Sequence, residues 1–350
     1  MRRGLIARSL IELPDAAFDS RLGRVRAAMR QAQLDALVIY TNNTQPSGVS
    51  WLVGFVPYWS EALLIVPLHG APYLVAALSF RVKSWIERVS RVGEVLHTPR
   101  IGLRAAQQIS AAGPDRAVGI VDFDYLPAGI ADDFREGGPG LKLCDASELF
   151  GTLRTKADPA EIALTMKAGS IANRALGDVS IDADLNTMIA GIEAKARNLG
   201  AEEIYIAAAP DLDRDCRFRR IEGEVSRGKE FALRATVAYK GTWVRLVRAF
   251  TDTGIGQRAL IALSNAVAQL PSEGGFSEFQ SWLVEGCRTT RPLEPILGSR
   301  LRRAAPLAFG SLVSVQGVLA LDGRKVPVAA PALIGAEGEA ASLLYEFAFD

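Results

Sequence analysis

The pattern of apolar and polar positions divides the chain into two stretches of different character. In the first, Leu22, Val25 and Met29 recur at helical spacing, and the apolar runs DALVIY and EALLIVPL follow as strands. A helix near residues 80–89, the strand GEVLH, another helix and the strand AVGIVDFDY continue the alternation. Such alternation predicts an α/β domain, complete by about Leu149, and residues 1–150 are assigned to it. The stretch LRTKADPAEIALTMKAGSIANRAL comes next, with Asp158 as N-cap, Pro159 at the first helical position and Glu161 completing a capping box. A second domain, residues 151–350, starts there.

Its pattern predicts helices ending near Leu176 and Gly200, the second lined on one face by Leu185, Met188, Ile189 and Ile192. The strand EIYIAAA, a charged stretch from Asp211 to Glu230, and a hairpin from Leu233 to Phe250 follow. Helices are then expected around residues 258–270 and near residues 276–284, before the strands SLVSVQGVLAL and KVPVAAPALIG. Helices followed by antiparallel strands predict an α+β domain.

The hairpin carries arginines where a buried sheet disfavours them. Alternate residues of a strand share a face, so Arg234 lines up with Thr236 and Ala238, opposite the row of Leu233, Ala235 and Val237. A Lys240-Gly241 loop sets Arg234 against Val247 and Arg245 against Thr236; a Tyr239-Lys240 loop makes the two arginines direct partners. In either register both arginines share one face.

Composition narrows the partners. The length of 350 residues and the apolar fraction of 49% suit two domains with real cores, and a formal net charge of +1 gives no reason to expect nucleic acid. Cys144, Cys216 and Cys287 form no close pair, which fits a reducing compartment and predicts a cytoplasmic protein. The start MRRGLIARSLIEL is interrupted by Arg8, and no run of about 18 apolar residues appears, so neither export nor membrane spanning is expected.

The order of these pieces resembles the creatinase, prolidase and Xaa-Pro aminopeptidase superfamily. DALVIYTNN followed by WLVGF, LRTKADPAEI at the junction, YKGTWVRLVRAF and FGSLVSVQG carry the resemblance, which spans nearly the whole chain. It implies an amino-terminal α/β domain followed by a pita-bread α+β domain. Metallopeptidases of the family hold two metal ions with two aspartates, a histidine and two glutamates. The resemblance sets Arg234 and Arg245 at the aspartate positions, Glu285 of EGCR at the histidine region by counting back from PLEP, Gln316 at the fourth position and Ala329 or Ala330 at the fifth. An arginine is a permanent cation without a lone pair to give, so these positions are expected to hold no metal, and no other cofactor is implied. Creatinase resembles this fold and works without metal, yet it uses a histidine in the cleft. Here the histidines are His69 and His97, both in the first domain.

Two functional readings follow. One is a non-catalytic or regulatory homologue that acts as a dimer subunit, as a homodimer or as the silent partner of an active relative, with Arg234, Arg245, Glu285 and Gln316 as cleft residues able to bind a small anion. The other is a metal-independent hydrolase of a small carbon-nitrogen compound. The bland reading of the arginines is ion pairing, with Glu285 as neutralising partner. Asp211, Asp213 and Asp215, interleaved with Arg214 and Arg217, read as a solvated loop; Cys216 and Cys287 read as packing thiols. His69 and His97 read as ordinary surface or hydrogen-bonded residues, and Tyr40, Trp51, Phe55, Tyr58 and Trp59 as core, with part of that aromatic group set near the cleft mouth by the resemblance.

Overall fold

A computed structural model describes residues 9–345 other than 58–59, 178, 180–181, 273 and 287–306. Tyr58, Trp59, Cys287 and the PLEP stretch therefore lie outside the described residues. Two compact units meet along the chain between Arg154 and Thr155.

The first unit runs α1 (Asp15–Gln31), β1 (Ala36–Thr41), α2 (Ser47–Val53), β2 (Ala62–Pro67), β3 (Tyr73–Ala76), α3 (Lys83–Val89), β4 (Glu94–His97), α4 (Ile101–Ser110), β5 (Ala117–Val121), α5 (Ala128–Gly137), β6 (Lys142–Asp145) and α6 (Ser147–Leu153). The strands form one sheet in the order β4-β3-β2-β1-β5-β6, antiparallel only where β2 meets its neighbours. Both faces are covered, which is why DALVIY and EALLIVPL read as unbroken apolar runs. Leu37, Ile39 and Leu64 face α1, α2, α3 and α6 through Val25, Met29, Trp51, Ile86 and Phe150. Val38, Leu63, Ile65 and Ile120 face α4 and α5 through Ile101, Ala105, Ile130 and Phe134.

The second unit opens on the capping box. Asp158 Oδ1 accepts from the Glu161 backbone N–H at 3.0 Å, and Glu161 Oε2 accepts from the Asp158 N–H at 3.1 Å. Two donors that a helix start leaves unsatisfied are thereby met at the head of α7 (Pro159–Gly177). Then come α8 (Leu185–Asn198), β7 (Glu203–Ala209), β8 (Phe231–Tyr239), β9 (Thr242–Phe250), α9 (Ile255–Ala268), β10 (Phe279–Gly286), β11 (Leu312–Leu321), β12 (Arg324–Leu333) and β13 (Ser342–Leu343). The sheet order is β10-β11-β12-β9-β8-β7, with β13 paired to β12. One face packs on α7, α8 and α9 through Leu176, Ile192, Leu263, Phe231, Leu233, Leu246, Val315 and Val328.

The expected helix near residues 276–284 is instead β10, antiparallel to β11, with Leu283 opposite Gln316 and Glu285 opposite Ser314. A short apolar run does not distinguish helix from strand by periodicity, and here pairing with β11 decides. The pairing places Val284, fully buried, against the helix-packed core, while Phe276 stacks on Trp282 at 4.4 Å. No helix among the described residues is long and apolar enough to cross a membrane.

Candidate functional site

The site is built from the hairpin upward. Lys240 and Gly241 both take positive φ, 46° and 78°, as a two-residue hairpin loop of the twisted type requires. That loop fixes the register: Arg234 pairs with Val247, and Thr236 with Arg245. Glu202, just before β7, receives the Gly241 N–H on its carboxylate at 3.2 Å. Burial, opposed by backbone N–H bonds from Gly241 and Lys240, pushes its carboxyl up to about 7.

Because sheet residues alternate, the register also determines which side chains leave the face away from the helices. Arg234 and Thr236 on β8, Arg245 and Val247 on β9, Ala329 on β12, Ser314 and Gln316 on β11, and Leu283 and Glu285 on β10 share that face. Ala329 is the direct partner of both Gln316 and Val247, whereas Ala330 belongs to the helix-packed core. Of the two alanines left open by the sequence, Ala329 is the one beside Gln316.

Three of the four candidate residues come together. Arg245 Nη1 donates to Gln316 Oε1 at 3.1 Å and to Glu285 Oε1 at 3.3 Å, and Gln316 Nε2 donates to the same Glu285 oxygen at 3.2 Å. The Arg245 guanidinium, carried on β9, meets side chains of β11 and β10 across β12, and the row that joins Val247 to Gln316 holds only the methyl group of Ala329 there. The ion pair is enclosed, with the Arg245 side chain 6% and that of Glu285 16% exposed. Arg234, 4% exposed, lies on the same face but engages a different group: its guanidinium carbon sits 5.2 Å from the centre of the Phe218 ring. Phe218 belongs to the 210–230 segment, which closes on itself through Gly228 N–H to Pro210 O at 2.9 Å and Leu212 N–H to Glu230 O at 3.0 Å. Leu212, Cys216 and Phe218 pack with Ala209, Ala232, Val247 and Ala329.

The other candidates are accounted for singly. The Asp211–Asp215 loop is laced by Asp211–Arg214 at 3.2 Å and Asp215–Arg217 at 3.0 Å. The Cys216 thiol is directed to the Lys325 carbonyl at 3.4 Å, and burial pushes it up to about 11, so it is no thiolate at neutral pH. His69 is exposed, and His97 Nδ1 lies 3.0 Å from the Leu78 carbonyl. Trp51 and Phe55 are core, and the Tyr40 hydroxyl donates to Glu61 at 2.7 Å. Sequence reasoning did not find Phe218 or Glu202. The available signals were an aromatic alone in a charged stretch and a carboxylate beside a predicted strand start.

The chemistry of this donor set does not suit a divalent cation. Two guanidinium groups, a primary amide and a methyl group occupy the positions that the resemblance gives to ligands, and only Glu285 brings a carboxylate. Among the described residues no three His, Cys, Asp or Glu side chains converge in a metal-holding group.

Residues 21–156 match the sequence profile of the Creatinase/Prolidase N-terminal domain. No curated protein matches the chain in sequence. Among solved structures, X-Pro aminopeptidase from Thermotoga maritima superposes with a TM-score of 0.69 at 14% identity, covering 93% of this chain and 97% of that one. Prolidase from Pyrococcus horikoshii gives 0.68 at 14% identity, with 95% and 100% covered. Dipeptidase PepE from Mycobacterium ulcerans gives 0.64 at 17% identity, with 95% and 96% covered. At these identities the likeness is one of fold, and it extends over both units.

Proposed function

We propose that this chain, a member of the creatinase/prolidase superfamily with that family's two-domain pita-bread fold, is a metal-independent, non-catalytic subunit. The observation that carries the reading is the closed network of Arg245, Glu285 and Gln316. A guanidinium fixed between a carboxylate and an amide supplies, from within the chain, positive charge where the resemblance sets a metal ion. The same network weighs against Arg245 as an open anion site, since its partner carboxylate is internal. The alternative, a metal-independent hydrolase, needs a general base on this face, and Glu285 Oε1 already accepts from both Arg245 and Gln316.

Under this reading the protein is a cytoplasmic dimer, with itself or with a catalytically complete relative, because an isologous surface can be kept while the chemistry is lost. The test uses purified full-length protein without added metal. Elemental analysis is expected to find no stoichiometric manganese, cobalt or zinc, and Xaa-Pro dipeptides are expected to remain intact when each metal is supplied. One bound metal per chain together with metal-dependent cleavage would overturn the proposal. Sedimentation at micromolar concentration is expected to show a dimer, and a strict monomer indifferent to co-expressed relatives removes the subunit role.

A further inference from the structure

At one end of the same sheet face, beyond the arginine network, lies an open cavity of about 420 Å³, within the size range of small-molecule sites. Its walls come from three pieces of chain, the loop between β7 and β8, the β11–β12 hairpin, and Gln280 and Ser281 of β10, with loop and hairpin joined where the Cys216 thiol meets the Lys325 carbonyl at 3.4 Å. Val318 and Leu212, both more than nine-tenths buried, give it an apolar floor. Neither Arg234, Arg245, Glu285 nor Gln316 lines it.

Most of the charge on its walls is already matched. Glu230, a buried carboxylate, is held by Arg324; Asp215 is held by Arg217 at 3.0 Å; and Arg214 leans on Asp211 at 3.2 Å. Two charges remain. Among the described residues the Lys325 ammonium and the Asp213 carboxylate, both lining the cavity, have no ion-pair partner. They belong to different pieces of chain, Lys325 to β12 and Asp213 to the loop, and the Asp213 backbone N–H is anchored to Asp211 Oδ1 at 3.1 Å. A cavity with one unmatched cation, one unmatched anion and an apolar floor complements a ligand of the reverse arrangement.

The geometry points to a binding site for a small zwitterion, with an ammonium group and a carboxylate at opposite ends of an apolar spacer. The carboxylate meets Lys325, the ammonium meets Asp213, and the spacer lies over Val318 and Leu212. This site is independent of the proposed loss of catalysis, because it shares no residue with the arginine network.

Calorimetric titration of the full chain with 6-aminohexanoate tests it, with hexanoate and hexylammonium as single-charge controls. The zwitterion is expected to bind saturably and at least about fivefold more tightly than either control, the gain of a second partly exposed ion pair. Lys325→Met and Asp213→Asn alter exposed side chains, so the fold is retained, which thermal melting verifies. Each substitution is expected to bring the zwitterion down to the level of a single-charge control. Absence of saturable binding, equal binding of the zwitterion and a control, or indifference to both substitutions would overturn the assignment.

Discussion

The Arg245 guanidinium and the Glu285 carboxylate meet at 3.3 Å although they belong to β9 and β10, strands with two others between them in the sheet. Gln316 on β11 accepts from the same guanidinium nitrogen, and its partner on β12 is Ala329, which brings no polar group to that row. Removing one partner strands a largely buried charge, so Arg245→Met is expected to cost about 3–5 kcal/mol in urea unfolding. Pairing it with Glu285→Leu removes the stranded carboxylate and is expected to recover part of the loss. Strictly additive single and double variants would show that the two side chains do not act as a unit.

Ala329 tests the packing beside the network. It is buried and lies directly opposite both Gln316 and Val247. Ala329→Leu puts a branched side chain beside Gln316, the acceptor of Arg245, and destabilisation of about 1–3 kcal/mol is expected from overpacking. Combined with Arg245→Met, the larger side chain gains room, and the two effects should sum to less than their separate costs. Equal penalties for Ala329→Leu with and without Arg245 would show that the two positions are not coupled.

Glu202 makes stability depend on pH. Its carboxyl is raised from an ordinary 4.5 to about 7 in the folded protein, chiefly by burial. The folded state therefore holds this proton more tightly than the unfolded chain. The stability it contributes is complete below about pH 4.5 and lost as pH rises through about 7. Glu202→Gln mimics the protonated form and keeps an acceptor for the Lys240-Gly241 loop. It is expected to be more stable than the parent by about 1–3 kcal/mol at pH 8 and equal to it near pH 4.5. Thermal melts of both proteins across this range check it, and parallel pH profiles would contradict the assignment.

The capping box at Asp158 and Glu161 gives a local test. Asp158→Ala removes the acceptor for the Glu161 N–H, and about 1 kcal/mol of stability is expected to go with it. Glu161→Ala, which releases the Asp158 N–H, should add little on top, since each bond holds the other in place.

By itself the sequence determined whatever depends on near neighbours along the chain. Apolar runs marked β1, β2, β5 and β7 because each strand is buried by its own alternation or on both its faces. The ADPAE stretch marked the head of α7 because a capping box closes within three residues. The shared face of Arg234 and Arg245 was legible for the same reason, since either hairpin register preserves it. Tertiary structure decided the rest. The residues at 276–284 had an ambiguous period, and pairing with β11, more than thirty residues away, made them a strand. Which alanine stands beside Gln316 depended on register between strands. Arg245 finds Glu285 at a separation of 40 residues and Gln316 at 71, distances over which composition and spacing carry no information about contact. Those groups meet because the helices below bury the opposite face of the sheet, leaving the long polar side chains on one surface, where the arginine must find its counter-charge.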